Sequence, residues 1–143
     1  MIHDEIVTYE VAKLAKDKGF DEECRDFYCN DKRQKRITRT SCNRQVTSFD
    51  YCSNSTLEDY DSPKEYFHIA APTQSLLQRW LREEKGEIIE LKHSDSTESW
   101  RLFWSWRIYN NLGFVIRIRI GNTFDTYELA LEDALKYALE NLI

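Results

Sequence analysis

Hydrophobic and polar positions alternate most regularly in the last third of the chain. From Trp100 to Tyr109, Trp100, Leu102, Trp104, Trp106 and Ile108 fall on one side, with Arg101, Phe103, Ser105, Arg107 and Tyr109 on the other. That period of two predicts a strand. Asn110-Asn111-Leu112-Gly113 has hairpin chemistry, with Gly113 placed for a left-handed bulge. Phe114, Ile116, Ile118 and Ile120 then continue the apolar face, with Val115, Arg117 and Arg119 opposite. A two- or four-residue loop would set Ile108 against Val115 and oppose apolar face to arginine face. A three- or five-residue loop aligns the two apolar faces, so an odd loop is expected.

Helical spacing predicts three further elements. Thr8 can cap a helix to about Lys18, with Val11, Leu14 and Ala15 as its stripe and Gly19 as its left-handed stop. Pro72-Thr73 opens a second, carrying Leu76, Leu77, Trp80 and Leu81 and ending at Gly86. Asp125 and Glu128 have capping-box spacing ahead of Tyr127, Leu131, Ala134, Leu135, Ala138, Leu139 and Leu142. This last helix is expected across the Trp/Ile face of the sheet. Glu87 to Lys92 alternates and reads as a strand, with His93 to Glu98 as a polar connector.

The middle, residues 21–71, is patterned more weakly. Asp26 to Cys29 reads as a short strand ending at an Asn30-Asp31 turn, and Lys35–Cys42 and Gln45–Cys52 as two more strands. Asn54 to Lys64, with Pro63, reads as a loop, and Tyr66 to Ile69 as an extended lead-in. The expected fold is α+β: one domain over residues 1–143, an antiparallel sheet made of a C-terminal three-stranded meander plus short N-terminal strands, and three helices packed mainly on one face.

Composition narrows the class. A chain of 143 residues is long enough to bury roughly 68–70% of its unfolded surface without staples. A net charge of −5, from 25 acidic and 20 basic residues, gives no general attraction to nucleic acid or anionic membranes. No apolar run is long enough to span a bilayer, and the acidic start Met1-Ile2-His3-Asp4-Glu5 is unlike a secretory signal. The expected location is therefore the cytoplasm, with no membrane partner. There Cys24, Cys29, Cys42 and Cys52 are expected as free thiols. Their spacing lacks the paired knuckles of zinc sites, so no metal and no cofactor is expected. Asn54-Ser55-Thr56 has the glycosylation pattern, which carries no meaning without secretion.

Two clusters carry candidate chemistry. Lys32, Arg33, Lys35, Arg36, Arg39 and Arg44 form a basic patch without an intervening acid, able to track phosphates or simply to balance the acidic stretch from Asp50 to Glu65. Arg101, Arg107, Arg117 and Arg119, with Phe103 and Tyr109 among them, form a candidate face for stacking bases and holding phosphates. Solvated sheet faces carry arginines too. Trp80, Trp100, Trp104 and Trp106 all fall on apolar faces and read as core. No glycine-rich phosphate loop, nucleophile elbow or H-E-x-x-H motif is present, so no catalytic residue is assigned.

Three stretches, Thr8–Phe20, Ala71–Glu83 and Thr126–Leu135, together about a quarter of the 143 residues, resemble a family of small proteins of phages, prophages and mobile elements of gut Bacteroidetes. No activity or catalytic residue attaches to that family, and the basic, cysteine-containing middle departs from it. The resemblance implies a bacterial host cytoplasm and a non-enzymatic accessory protein that binds a host or phage protein and interferes with host machinery, with a homodimer as one form of assembly. The rival expectation is an anionic ligand, nucleotide or nucleic acid, on the arginine/aromatic face.

Overall fold

The computed structural model describes residues 4–44, 50–62, 65–95, 102–110, 112–118 and 123–143. The fold is α+β, but the described strands form two antiparallel three-stranded sheets instead of one. The chain divides into two compact units, Ile6–Thr73 and Gln74–Ile143, the latter joined by Asp4 and Glu5.

In the first unit, helix α1 (Tyr9–Asp17) starts where expected. Thr8 Oγ1 accepts from the Val11 N–H at 3.4 Å, and Gly19 leaves the helix at φ 92°. Only an unbranched, Cβ-free residue adopts that backbone without strain. Strand β1 (Asp26–Asp31) pairs on one side with β2 (Arg36–Ser41) and on the other with β3 (Tyr66–Ala71). Asn30 and Asp31 are ladder residues, so the turn falls later, on residues 32–35. Asp31 closes it by accepting from the Arg33 and Gln34 N–H groups at 3.0 and 3.2 Å. Lys35 takes the turn's left-handed position at φ 50°.

Helix α1 packs on this sheet at β3. Against α1 lie Tyr28 and Ile69: Tyr28 meets the Tyr9 ring edge-on at 5.7 Å and donates to the Val7 carbonyl at 2.5 Å. Along the outer edge of β3 lie helix α2 (Asn54–Leu57) and a 3-10 turn (Glu58–Tyr60), from which Asn54 and Asp61 accept from the Ala70 and His68 N–H groups. The sequence predicted a loop there. A Ser53/Thr56 capping box starts the helix, with Ser53 N–H donating to Thr56 Oγ1 at 2.9 Å. Asn54 then bonds across the fold, donating to the Phe20 carbonyl at 2.7 Å and accepting from the Ala70 N–H at 2.8 Å. Tertiary bonds, not propensity, hold so short a helix. The expected Gln45–Cys52 strand falls largely outside the described residues; Cys52 itself makes an isolated bridge to Cys24.

In the second unit, strands β4 (Glu87–Asp95), β5 (Leu102–Asn110) and β6 (Val115–Ile118) form a meander. β4 runs into the segment expected as a connector. Helix α3 (Gln74–Lys85) packs against β4, and helix α4 (Tyr127–Asn141) lies across β4 and β5 on the Trp/Ile face, as predicted. Trp106, Ile108, Ile89, Leu131, Leu135 and Leu139 form that core, each such side chain contributing about 1.5–3 kcal/mol by leaving water. The buried Trp106 indole donates to Asp133 Oδ2 at 2.8 Å, which satisfies the one polar atom the ring carries inward. Buried Gln74 ties α3 to α4 by donating to the Glu128 carbonyl and to Glu132 Oε2, both at 2.9 Å. The cap of α4 is Thr126, whose hydroxyl accepts from the Leu129 N–H at 3.1 Å, one residue later than the Asp125 expected. Tyr127, expected in the apolar stripe, is exposed.

The hairpin between β5 and β6 begins with the odd loop expected. Asn110 N–H donates to the Phe114 carbonyl at 2.9 Å, leaving three residues in the turn. The register then shifts: Tyr109 faces Val115, but Ile108 faces Arg117, so Ile116 is an extra residue without a partner. Continued without a shift, the ladder would have set Arg117 directly opposite Arg107. Like charges facing each other destabilise a strand pair, and the bulge avoids that pairing.

Candidate functional site

The bulge decides the fate of the arginine face. Residues opposite one another in a ladder share a face, and Arg107 faces Ile118 while Arg117 faces Ile108. Arg107 and Arg117 therefore lie on opposite faces, against the expectation that they project together. Arg101 and Arg119 lie outside the described residues. Phe103, Arg107 and Tyr109 do share a face, half-buried, but Glu90 on β4 stands directly across from Arg107. That face is mixed in charge. Of the tryptophans, Trp80 and Trp106 are core as expected; Trp104 is half-buried between His93, at 4.5 Å, and Tyr127, at 5.2 Å; Trp100 lies outside the described residues.

The basic patch is a real hairpin, β1–β2, and Lys32, Arg33, Lys35, Arg36, Arg39 and Arg44 are all exposed on or just beyond it. Three of its six cations stand beside acidic residues. Arg33 donates to the Tyr66 hydroxyl, stands over that ring at 5.1 Å and lies 3.7 Å from Glu65; the hydrogen bond first, then Glu65, raise its pKa. Arg44 pairs with Asp50 at 3.3 Å, and Arg36 faces Asp31 in the ladder. Such exposed pairs contribute little to stability, but they answer cations that a phosphate would otherwise claim.

The cysteines depart from expectation. Cys42 and Cys52 form a disulfide, while Cys24 and Cys29 are free. Burial, with help from Asp26 and Glu22, pushes the Cys24 thiol up to about 12. Cys29 is the ladder partner of His68, whose Nδ1 lies 2.8 Å from Asp61 Oδ1, so a thiol, an imidazole and an orienting carboxylate share one neighbourhood. Burial first, then Asp31 and Asp61, raise the Cys29 pKa, which disfavours the thiolate a nucleophile needs. Among the described residues no group of three histidine, cysteine or acidic side chains is placed to hold a metal ion. Nor is the sequon available, because both ends of the Asn54 amide are bonded and the residue is buried.

What the sequence reading missed is an apolar group at the hairpin end of the second sheet. Ile88, Tyr109 and Val115 face one another across β4, β5 and β6 as a single row. Beside it the turn carries Leu112, 76% exposed, and Phe114, 67% exposed, with Val115 45% exposed. Phe114 was expected on the core face. α4 packs on the Ile89/Trp106/Ile108 face of β4 and β5, opposite the Ile88–Tyr109 row, and Leu112 and Phe114 stay in water at a cost of about 1.5–3 kcal/mol each relative to burial. The legible signal was two bulky apolar residues flanking Gly113 in a tight turn, where polar residues are usual. No helix among the described residues is long and apolar enough to cross a membrane. No protein-family model matches the chain, and neither a curated protein nor a solved structure does.

Proposed function

We propose that this chain is a non-enzymatic binding protein, an accessory product of a phage or mobile element, that docks on a host or phage protein through the hairpin end of its second sheet. The observation that carries the reading is the exposed group Leu112, Phe114 and Val115 beside the Ile88–Tyr109–Val115 row. Clustered exposed apolar side chains rimmed by polar ones are what protein interfaces bury. Burial raises the pKa of both free thiols, Cys24 and Cys29, which disfavours the thiolate that a nucleophilic mechanism would need.

The test is quantitative capture with a matched variant. Leu112→Ser/Phe114→Ser changes solvent-facing side chains, so its stability should stay within about 0.5 kcal/mol of the parent. Parent and variant are immobilised at equal density, exposed to the same bacterial lysate, and the bound proteins quantified by mass spectrometry. A partner retained by the parent and lost at least tenfold from the folded double variant supports the docking surface. Equal retention of every captured protein by both would refute it.

A further inference from the structure

Three of the four cysteines meet at one place in the first unit. Cys24 N–H donates to the Cys52 carbonyl at 2.8 Å and Cys52 N–H to the Cys24 carbonyl at 2.9 Å, so the two are directly opposed in a short antiparallel bridge. A pair that exchanges both hydrogen bonds has its Cα atoms about 5.5 Å apart and its side chains on the same face, inside the roughly 4.4–6.8 Å that a disulfide spans. Cys52 is bonded to Cys42, whose Cα is 6.4 Å away. The Cys42 N–H donates to the Arg25 carbonyl at 2.6 Å, fixing Cys42 beside Cys24 in the fold. Cys52 Sγ lies 3.7 Å from the Cys24 carbonyl oxygen, so its side chain turns toward Cys24 even while bonded elsewhere. All three residues are buried. Cys52 is thus bonded to Cys42 and directly opposed to Cys24 at backbone positions that a disulfide commonly spans.

We propose that Cys52 is a shared sulfur that exchanges its disulfide between Cys42 and Cys24. In the step, the Cys24 thiol loses its proton and its sulfur attacks Cys52 Sγ. The Cys42–Cys52 bond breaks, and the departing Cys42 sulfur takes up a proton. One disulfide and one thiol stand on each side, so no oxidant or reductant is consumed. The two states constrain different stretches. The Cys42–Cys52 bond closes a ten-residue span that includes the Arg44–Asp50 ion pair. A Cys24–Cys52 bond would close a span of 28, enclosing both β1 and β2, and release Cys42 at the end of β2. Cys42–Cys52 is the resting linkage, with the Cys24 thiol buried and donating to the Glu22 carbonyl at 3.5 Å. The inference is independent of the docking surface, which belongs to the other unit.

Trypsin resolves the question, because cleavage after Lys18, Arg25, Arg39 and Arg44 places Cys24, Cys42 and Cys52 on three different peptides. The full chain is held in a glutathione redox buffer, quenched with acid, unfolded and labelled with N-ethylmaleimide at mildly acidic pH so that buried thiols react without disulfide exchange, and the linked and labelled peptides are quantified. The expected result is a Cys24–Cys52 peptide, with label on Cys42, at about one tenth or more of the Cys42–Cys52 form, the ratio that 1.4 kcal/mol between linkages sets. Cys42→Ser and Cys42→Ala, oxidised with glutathione and confirmed folded by circular dichroism, should convert to Cys24–Cys52. Label confined to Cys24 and Cys29 in the parent, together with a folded Cys42 variant that carries glutathione on Cys52 in place of the internal bond, would overturn the proposal. If neither variant folds, the parent's labelling pattern decides alone.

Discussion

Asn54 offers the sharpest test of how the first unit is held. Its amide is 4% exposed and makes one bond with each end, to the Phe20 carbonyl at 2.7 Å and from the Ala70 N–H at 2.8 Å. Phe20 and Ala70 are themselves buried, so water cannot replace the amide cheaply. Asn54→Ala strands one acceptor and one donor. Each stranded group costs about 1–3 kcal/mol, so the variant should lose about 3 kcal/mol. Against a typical total of about 5–15 kcal/mol that is a large share. With a urea slope of about 1–3 kcal/mol/M, the midpoint should fall by about 1–3 M.

Asn54→Asp separates hydrogen bonding from packing. The substituted carboxyl keeps an acceptor for the Ala70 N–H but sets an oxygen against the Phe20 carbonyl. Protonation restores a donor, so its penalty should shrink as pH falls through the carboxylate range, whereas the Asn54→Ala penalty should not move. Urea titrations of the three proteins at several pH values, followed by circular dichroism, measure both effects. An Asn54→Ala loss below about 0.5 kcal/mol, or parallel pH profiles for the two variants, would refute the reasoning.

In the second unit, Asp133→Ala should cost about 1–3 kcal/mol by leaving the Trp106 indole N–H without its acceptor, and Trp106→Phe in the same background should recover part of that loss in a double-mutant cycle. Glu87 is a cost at neutral pH. Burial raises its carboxyl pKa, and among the described residues its Oε2 has no hydrogen-bond partner. A folded pKa above the unfolded one means the native state binds more protons, so the contribution of Glu87 falls as pH rises through the carboxylate range. Glu87→Gln should therefore be the more stable protein at pH 7, by under about 1 kcal/mol, with the advantage vanishing below the carboxylate range; a variant less stable than the parent at neutral pH would contradict this.

The sequence made legible those elements whose signal is local. Thr8, Gly19 and the Val11/Ala15 stripe mark α1, Gly86 marks the end of α3, and the ten-residue alternation around Trp104 and Trp106 marks β5. Each rests on neighbours within one or two turns. What stayed hidden rests on distant partners. Four residues are too few to show helical period, and α2 exists through Asn54 reaching Phe20 and Ala70. Asn30 and Asp31 look like a turn, yet ladder partners on both sides keep them extended. Two sheets in place of one is a matter of which strands meet, which periodicity does not encode. The bulge at Ile116 interrupts an alternation that is unbroken in sequence, and no spacing rule assigns the Cys42–Cys52 linkage. Arg107 and Arg117 part at that same bulge, because face membership beyond it is set by register and not by residue count.

The outermost strands have a consequence for crowding. An outer strand with free backbone groups is a template on which other chains can stack, the first step toward aggregates. Here that risk is met differently on each strand. The outward N–H groups of β3 are already taken: His68 by Asp61, Ala70 by Asn54, and Tyr66 by the Ser62 carbonyl. β2 is exposed along nearly its whole length and carries Ile37, but Arg36 and Arg39 place repelling charge on it. Among the described residues, the ladder of β6 to β5 is interrupted at Ile116, which bends the row that β6 would present for copying. β4, the outer strand on the other side of that sheet, has its Ile89 carbonyl taken by the Gln78 amide at 3.0 Å. Of the outer strands it is thus β3 whose outward N–H groups are answered along its length from within the chain, and copying by a neighbouring chain is blocked most firmly there.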